Sequence, residues 1–305
     1  MKNLYQNIFL LLAVLFLASC GNEEDVSPSY ADSNIFAPQD SDKSYSAELR
    51  REFFSETGTY LLFNDTLSVV PKGVDCYGNV INDVQTVDVD FTMFSTSSDH
   101  YTYTYEYLVG NDVKRQAVDA FKEGVVKRLG SLKPFSFLLV DYMTQWTTDD
   151  YGEPELTKNP YPLYRLGSRC YVISLNHGEG LTNSSYFDNI VYQIVLSIVL
   201  QKNDSFFSTF FGAISDYSNL VGQYKADIDY PNGYDDDMAR SLGFLRDGNK
   251  WYMRNKTGDI TDYVSAVFDY TEEEFTEKYG EYPICVTRYQ AMRNLLLSMG
   301  VVLNK

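Results

Sequence analysis

Hydrophobic positions recur along the chain with three spacings, and each spacing predicts an element. The short, largely apolar run at Phe135–Val140 predicts a central strand, and Cys170–Leu175 reads as another strand. Alternation at Val87–Phe91 and Tyr101–Tyr107 predicts half-buried strands, and Tyr60–Phe63 reads as another. Helical spacing appears in a short segment at Ala47–Glu56 and in Val113–Leu129, where Gly130 supplies a stop. A third helix is expected over Asn189–Lys202, with Asp188 as its N-cap. It is apolar nearly all round, which predicts burial in the middle of a domain.

The remaining segments complete the pattern. Phe206–Tyr217 is aromatic-rich and reads as helical, as do Asp259–Phe268, Thr271–Tyr279 and Thr287–Met299. Asn64-Asp65 signals a turn, Thr147–Pro160 reads as a loop, and Asp227–Asp237 as an acidic loop. Strands with early helices, followed mainly by helices, predict an α+β fold. The expected form is a mixed-sheet lobe followed by a mainly helical lobe, the two sharing a cleft.

The N-terminus has a different character. Lys2 precedes an unbroken apolar run of 11 residues, Ile8–Ala18, too short to span a bilayer but suited to the core of a signal peptide. It ends in Leu17-Ala18-Ser19-Cys20, which resembles a bacterial lipobox, so Cys20 is the expected lipidation site and 1–19 the signal peptide. Several acyl chains at Cys20 would anchor the protein stably to a membrane. Gly21-Asn22-Glu23-Glu24-Asp25 resembles the surface-export signal of Bacteroidetes lipoproteins, and an outer-membrane, surface-exposed location is expected. Residues 20–44 read as a flexible acidic tether and 45–305 as the folded domain.

Composition narrows the chemistry. A hydrophobic content of 44% over 305 residues supports a full core. A formal charge of −17 argues against nucleic acid, whose phosphates need a basic face. Two histidines, His100 and His177, leave little material for a histidine-rich metal site. Cys76, Cys170 and Cys285 form no CxxC pair, and no disulfide among them is assumed. There is no GxSxG, Walker A or GxGxxG motif.

Several blocks, in order, resemble a known family. Gly58-Thr59-Tyr60-Leu61-Leu62-Phe63 looks like its first strand and Lys133–Val140 like its middle strand. Asn189–Lys202 occupies the place of its HExxH helix. Gly243-Phe244 precedes Gly258–Val264, which resembles its DFxEM-type helix, and Thr271–Phe275 and Met299–Leu303 complete the series. The chain is thus similar to the zinc-binding metallopeptidase lipoproteins of Bacteroidetes, which are gluzincin-like and often encoded beside starch-utilisation-type glycan uptake systems. The resemblance implies a zincin-like fold from about Ala47 to the end.

The family's chemistry does not carry over. HExxH sets two histidines on one helical face to hold zinc, with the glutamate as base toward the metal-bound water. Here Tyr192 and Leu196 stand at the histidine positions and Gln193 at the base. Leucine has no ligand atom, a neutral phenol is a poor zinc ligand, and an amide takes no proton from water. Asp262 matches the third ligand, and one carboxylate does not make a three-ligand site. No histidine follows His177, which reads as a solvated loop residue in Asn176-His177-Gly178-Glu179-Gly180.

Two weaker signals accompany these. Asp227–Asp237 faintly resembles a calcium loop, but its spacing is one residue too long and no glutamate closes it. The 26 tyrosines, 19 phenylalanines, Trp146 and Trp251 fit core filling or a glycan-binding platform. The expectation is therefore a lipid-anchored lipoprotein with a degenerate metallopeptidase fold. It has no cofactor and no catalytic residue, and binds a peptide, protein or glycan. An active zinc peptidase with an atypical site and a purely structural lipoprotein are the alternatives.

Overall fold

The computed structural model describes residues 34–89, 101–183 and 185–303. The chain divides into two units, Met1–Ile35 and Phe36–Lys305. Only Asn34 and Ile35 of the first are among the described residues, so the signal segment, Cys20 and the acidic stretch lie outside them, as does His100. Phe36, within the segment read as tether, is buried, with its ring edge against Phe135 at 4.9 Å.

The folded unit opens with helix α1 (Tyr45–Thr57) and strand β1 (Tyr60–Leu62). A hairpin follows, β2 (Thr66–Val74) with β3 (Val80–Thr86), then β4 (Thr102–Glu106) and helix α2 (Asn111–Gly124). Next come β5 (Ser136–Val140), β6 (Tyr142–Thr148), β7 (Pro154–Leu156), β8 (Tyr164–Leu166) and β9 (Cys170–Ser174). After β9 the described chain is helical: a short α3 (Glu179–Thr182), the long α4 (Tyr186–Val199), and short α5 (Ser208–Gly212), α6 (Tyr217–Leu220) and α7 (Asp236–Ser241). The last three are α8 (Lys256–Asp269), α9 (Glu272–Tyr279) and α10 (Pro283–Ser298).

The central sheet has the order β1-β5-β9-β8. β1, β5 and β9 run parallel, with Leu138 opposite Val172, and β8 closes the edge antiparallel. Every residue of β5 and β9 is buried, as expected of parallel strands covered on both faces. Two smaller sheets, β2-β3 and β4-β6-β7, are antiparallel.

Helix α4 lies in the main core. Phe187, Ile190, Val191, Ile194, Val195 and Val199 repeat every three to four residues and are all buried. Gly124 permits the approach of α2, because a Cβ there would sit 2.2 Å from the Phe187 ring. The same core takes in Phe137, Ile173, Tyr263, Tyr289 and Met292, so it runs through sheet and helices together. The unit is one mixed body compatible with the α+β class, rather than two lobes sharing a cleft. A smaller core gathers Ile214, Tyr230, Ala239, Phe244 and Met253.

Several boundaries differ from the sequence reading. The extended segment expected at Val87–Phe91 is displaced: β3 ends at Thr86, Val87 and Val89 are buried loop anchors, and 90–91 lie outside the described residues. The loop expected over Thr147–Pro160 contains the end of β6 and all of β7. Helix α2 stops at Gly124 and a 3-10 turn continues to Arg128. Asp188 lies inside the first turn of α4, and Ser185 precedes it. The expected helix over Phe206–Tyr217 is broken into short pieces, whereas Thr271 caps α9 with a full capping box to Glu274.

Candidate functional site

Helix α4 turns two faces to different surroundings. Its deep face fills the core, and its shallower face carries Tyr192, Gln193 and Leu196, all half-buried. That shallower face meets α8. The Tyr192 ring stands edge-on to Phe268 at 5.5 Å and 71°. Between the helices lies a cleft of about 360 Å³, walled by Tyr192 and Phe268 and edged by Asn189, Ser265 and Asp269. At one end Arg128 donates to Asp188 at 2.7 Å, and inside it the Ser265 hydroxyl donates to Asp269 at 2.9 Å.

The structure thus brings the matched segments side by side, and the chemistry of each residue can be read. Burial raises the Tyr192 phenol above its ordinary pKa. A hydrogen bond with Ser265 opposes the rise, and the nearby Asp269 and Asp262 charges add to it. The phenol therefore stays neutral and offers no phenolate to a metal. Leu196 packs against the main core. Gln193 brings an amide and no base.

Asp262 is not free. Arg254 donates Nε to one of its oxygens and Nη2 to the other, both at 2.8 Å, and Arg246 approaches to 3.9 Å. Asp262 as a whole residue is 8% exposed. Burial pushes its pKa up, and the Arg254 hydrogen bonds and charge pull against that. A forked guanidinium–carboxylate pair uses both oxygens in the plane where a cation would bind. Sequence matching located Asp262 and missed Arg254.

The acidic loop has no calcium-loop geometry. Asp235 caps α7 by accepting from the Met238 N–H, Asp236 accepts from the Asp247 N–H, and Asp237 takes Arg240. Asp247 itself is buried against Lys225. These acids serve helix capping and a buried ion pair.

Aromatic residues divide between interior and surface. Phe53, Phe121 and Phe137 fill the core, Trp146 is half-buried with its Nε1 donating to Thr104, and Trp251 and Tyr252 stand about half exposed beside Tyr224.

His177 lies in the loop after β9, as expected, but it is engaged. Its Nδ1 is 3.1 Å from Asp141 Oδ2, and its ring stacks on Tyr142 at 4.2 Å and 14°. Glu106 joins them: one ligand atom from each of the three residues lies within 4.8 Å of the others. Among the described residues this is where three metal-ligating side chains gather, and Tyr192, Leu196 and Asp262 are not part of it. The sequence signal was faint. Each residue closes or follows a different strand, and only the fold joins them.

Comparison with family models, with curated proteins and with solved structures gives no match to this chain. Among the described residues no helix is long and apolar enough to cross a membrane.

Proposed function

We propose that this chain is an exported, lipid-anchored surface protein with a zincin-like fold whose peptidase site is disarmed, serving as a binding or accessory protein for a peptide or glycan. The observation that carries the reading is the grip of Arg254 on Asp262 in the helix facing Tyr192. A hydrolytic zinc centre needs three protein ligands and a base toward the metal-bound water. The corresponding positions here hold a neutral phenol, a leucine packed against the core, an amide and a carboxylate already paired.

The cleft that would have held substrate keeps volume and mixed chemistry. Its rings offer apolar faces, and Asn189, Ser265 and Asp269 offer hydrogen bonds, the usual make-up of a small-ligand pocket. Anchoring follows from the lipobox-like ending at Cys20 and its preceding apolar run.

The reading is tested by incubating the purified protein with a diverse peptide mixture and added zinc, with cleavage followed by mass spectrometry. No cleavage above a protein-free control is expected. Cleavage that a chelator stops, zinc restores and Asp262→Ala abolishes would overturn it.

A further inference from the structure

We propose that Glu106, Asp141 and His177 form a binding site for a divalent first-row transition cation of the Zn²⁺ type. This site shares no residue with the lining of the α4–α8 cleft and does not depend on the reading of that cleft.

The fold builds the site from three strand ends. β4 ends at Glu106, Asp141 follows β5 directly, and His177 lies three residues beyond β9. β5 and β9 are parallel, so Asp141 and His177 emerge at the same end of the sheet. The carboxyl ends of parallel strands are where open α/β sheets gather ligand-binding groups. The backbones are tied in series: the Asp141 N–H donates to the Glu106 carbonyl at 2.8 Å, and the His177 N–H to the Asp141 carbonyl at 3.1 Å. The donors thus stand on a fixed frame, and the Tyr142 ring holds the imidazole plane against it.

The donor set is mixed rather than merely acidic. One imidazole nitrogen and two carboxylate oxygens provide three protein ligands, the number that leaves an open coordination position on zinc. Ligand bonds of about 2.1 Å around a tetrahedral ion place donor atoms about 3.4 Å apart. Here the atoms lie within 4.8 Å of one another, and Nδ1 and Oδ2 are already 3.1 Å apart. Closing on an ion requires side-chain rotations that move the widest pair by no more than about 1.4 Å.

Charge points the same way. Among the described residues no lysine or arginine pairs with Glu106 or Asp141. Two carboxylates converge here with an imidazole beside them. A divalent cation supplies the missing charge. The imidazole favours zinc-like ions, whereas all-oxygen sites suit magnesium or calcium. The His177 side chain is 56% exposed, so an ion can reach it from solvent.

The test is zinc binding by the purified full-length protein, measured by isothermal titration in a Cys76→Ser background so that the exposed thiol cannot contribute. About one equivalent of Zn²⁺ should bind. His177→Ala should weaken binding more than tenfold, because losing a ligand should cost at least as much as the 10–100-fold typical of outer-shell changes. Glu106→Gln and Asp141→Asn should weaken it similarly, while Asp262→Asn should leave it unchanged. Binding of Co²⁺ to the unsubstituted site gives an independent readout, since its visible spectrum should report nitrogen and oxygen ligands without a thiolate band. Absence of zinc binding, or binding unaffected by His177→Ala, would overturn the proposal. Loss of zinc on changing Asp262 alone would overturn it too, and would instead contradict the disarmed cleft.

Discussion

Arg254 holds Asp262 by two parallel hydrogen bonds of 2.8 Å, so the acid that the sequence resemblance sets at a metallopeptidase ligand position is committed to a guanidinium eight residues before it. The pair is mostly shielded, with 28% of the Arg254 side chain and 6% of the Asp262 side chain exposed. Removing one member of such a pair strands the other charge. Arg254→Ala should therefore lower unfolding stability by about 2–3 kcal/mol, and Asp262→Ala in addition should recover part of the loss. Urea unfolding of the two single variants and the double variant measures this. Freeing Asp262 should not create zinc binding in the cleft, because Tyr192 and Leu196 add no donor.

A second ion pair is more deeply placed. Arg288 on α10 grips Asp259 on α8 at 2.6 and 3.0 Å, with both side chains wholly buried. The guanidinium lies 3.9 Å from the Phe210 ring centre and 4.7 Å from that of Tyr263, and the Tyr217 hydroxyl donates to the same carboxylate. Asp259→Ala should leave the arginine buried without its counter-charge and cost about 3–5 kcal/mol. Far-ultraviolet circular dichroism during chemical denaturation should show the midpoint fall well below that of the Arg254→Ala variant.

The cysteines separate by environment. Cys76 sits at the turn of the β2-β3 hairpin and is exposed, whereas Cys170 and Cys285 are buried. Burial pushes the Cys170 thiol up to about 11, and burial likewise raises that of Cys285. Thiolate, not thiol, reacts with alkylating agents. Of these three residues, only Cys76 should label rapidly in the native protein at neutral pH, and the other two should label on unfolding. Peptide mapping after maleimide treatment gives the answer.

The proposed membrane attachment rests on Cys20, through the lipobox-like segment that precedes it. Cys20→Ser should move the protein from the membrane fraction to the soluble fraction of exporting cells, because the acyl chains supply the anchoring. Retention of the variant in the membrane would contradict the assignment of Cys20.

The fold was legible where burial was one-sided or complete. β5 and β9 are apolar except for Ser136 and Ser174 because both their faces are covered, and α4 shows its wide apolar face for the same reason. The β2-β3 hairpin left little signal. Val69, Val74, Val80, Ile81 and Val84 are about half exposed or more, so no alternation records an inner face. Pro71 and Gly73 flank a register shift within β2. At the cleft, the family resemblance pointed to Tyr192, Gln193, Leu196 and Asp262 but not to Arg254, because a partner in the turn before a helix has no fixed offset. Glu106, Asp141 and His177 were beyond reach for a related reason. They belong to three strand ends separated by long stretches of chain, and only the parallel pairing of β5 and β9 brings two of them together.

The most direct test of the proposal that the cleft is disarmed is to locate zinc by anomalous diffraction at its absorption edge, in crystals of the protein grown with the metal. No zinc peak is expected among Tyr192, Leu196 and Asp262, and the Arg254–Asp262 pair should be intact. A peak at about 2.0–2.2 Å from the Asp262 carboxylate, with Arg254 displaced, would contradict it.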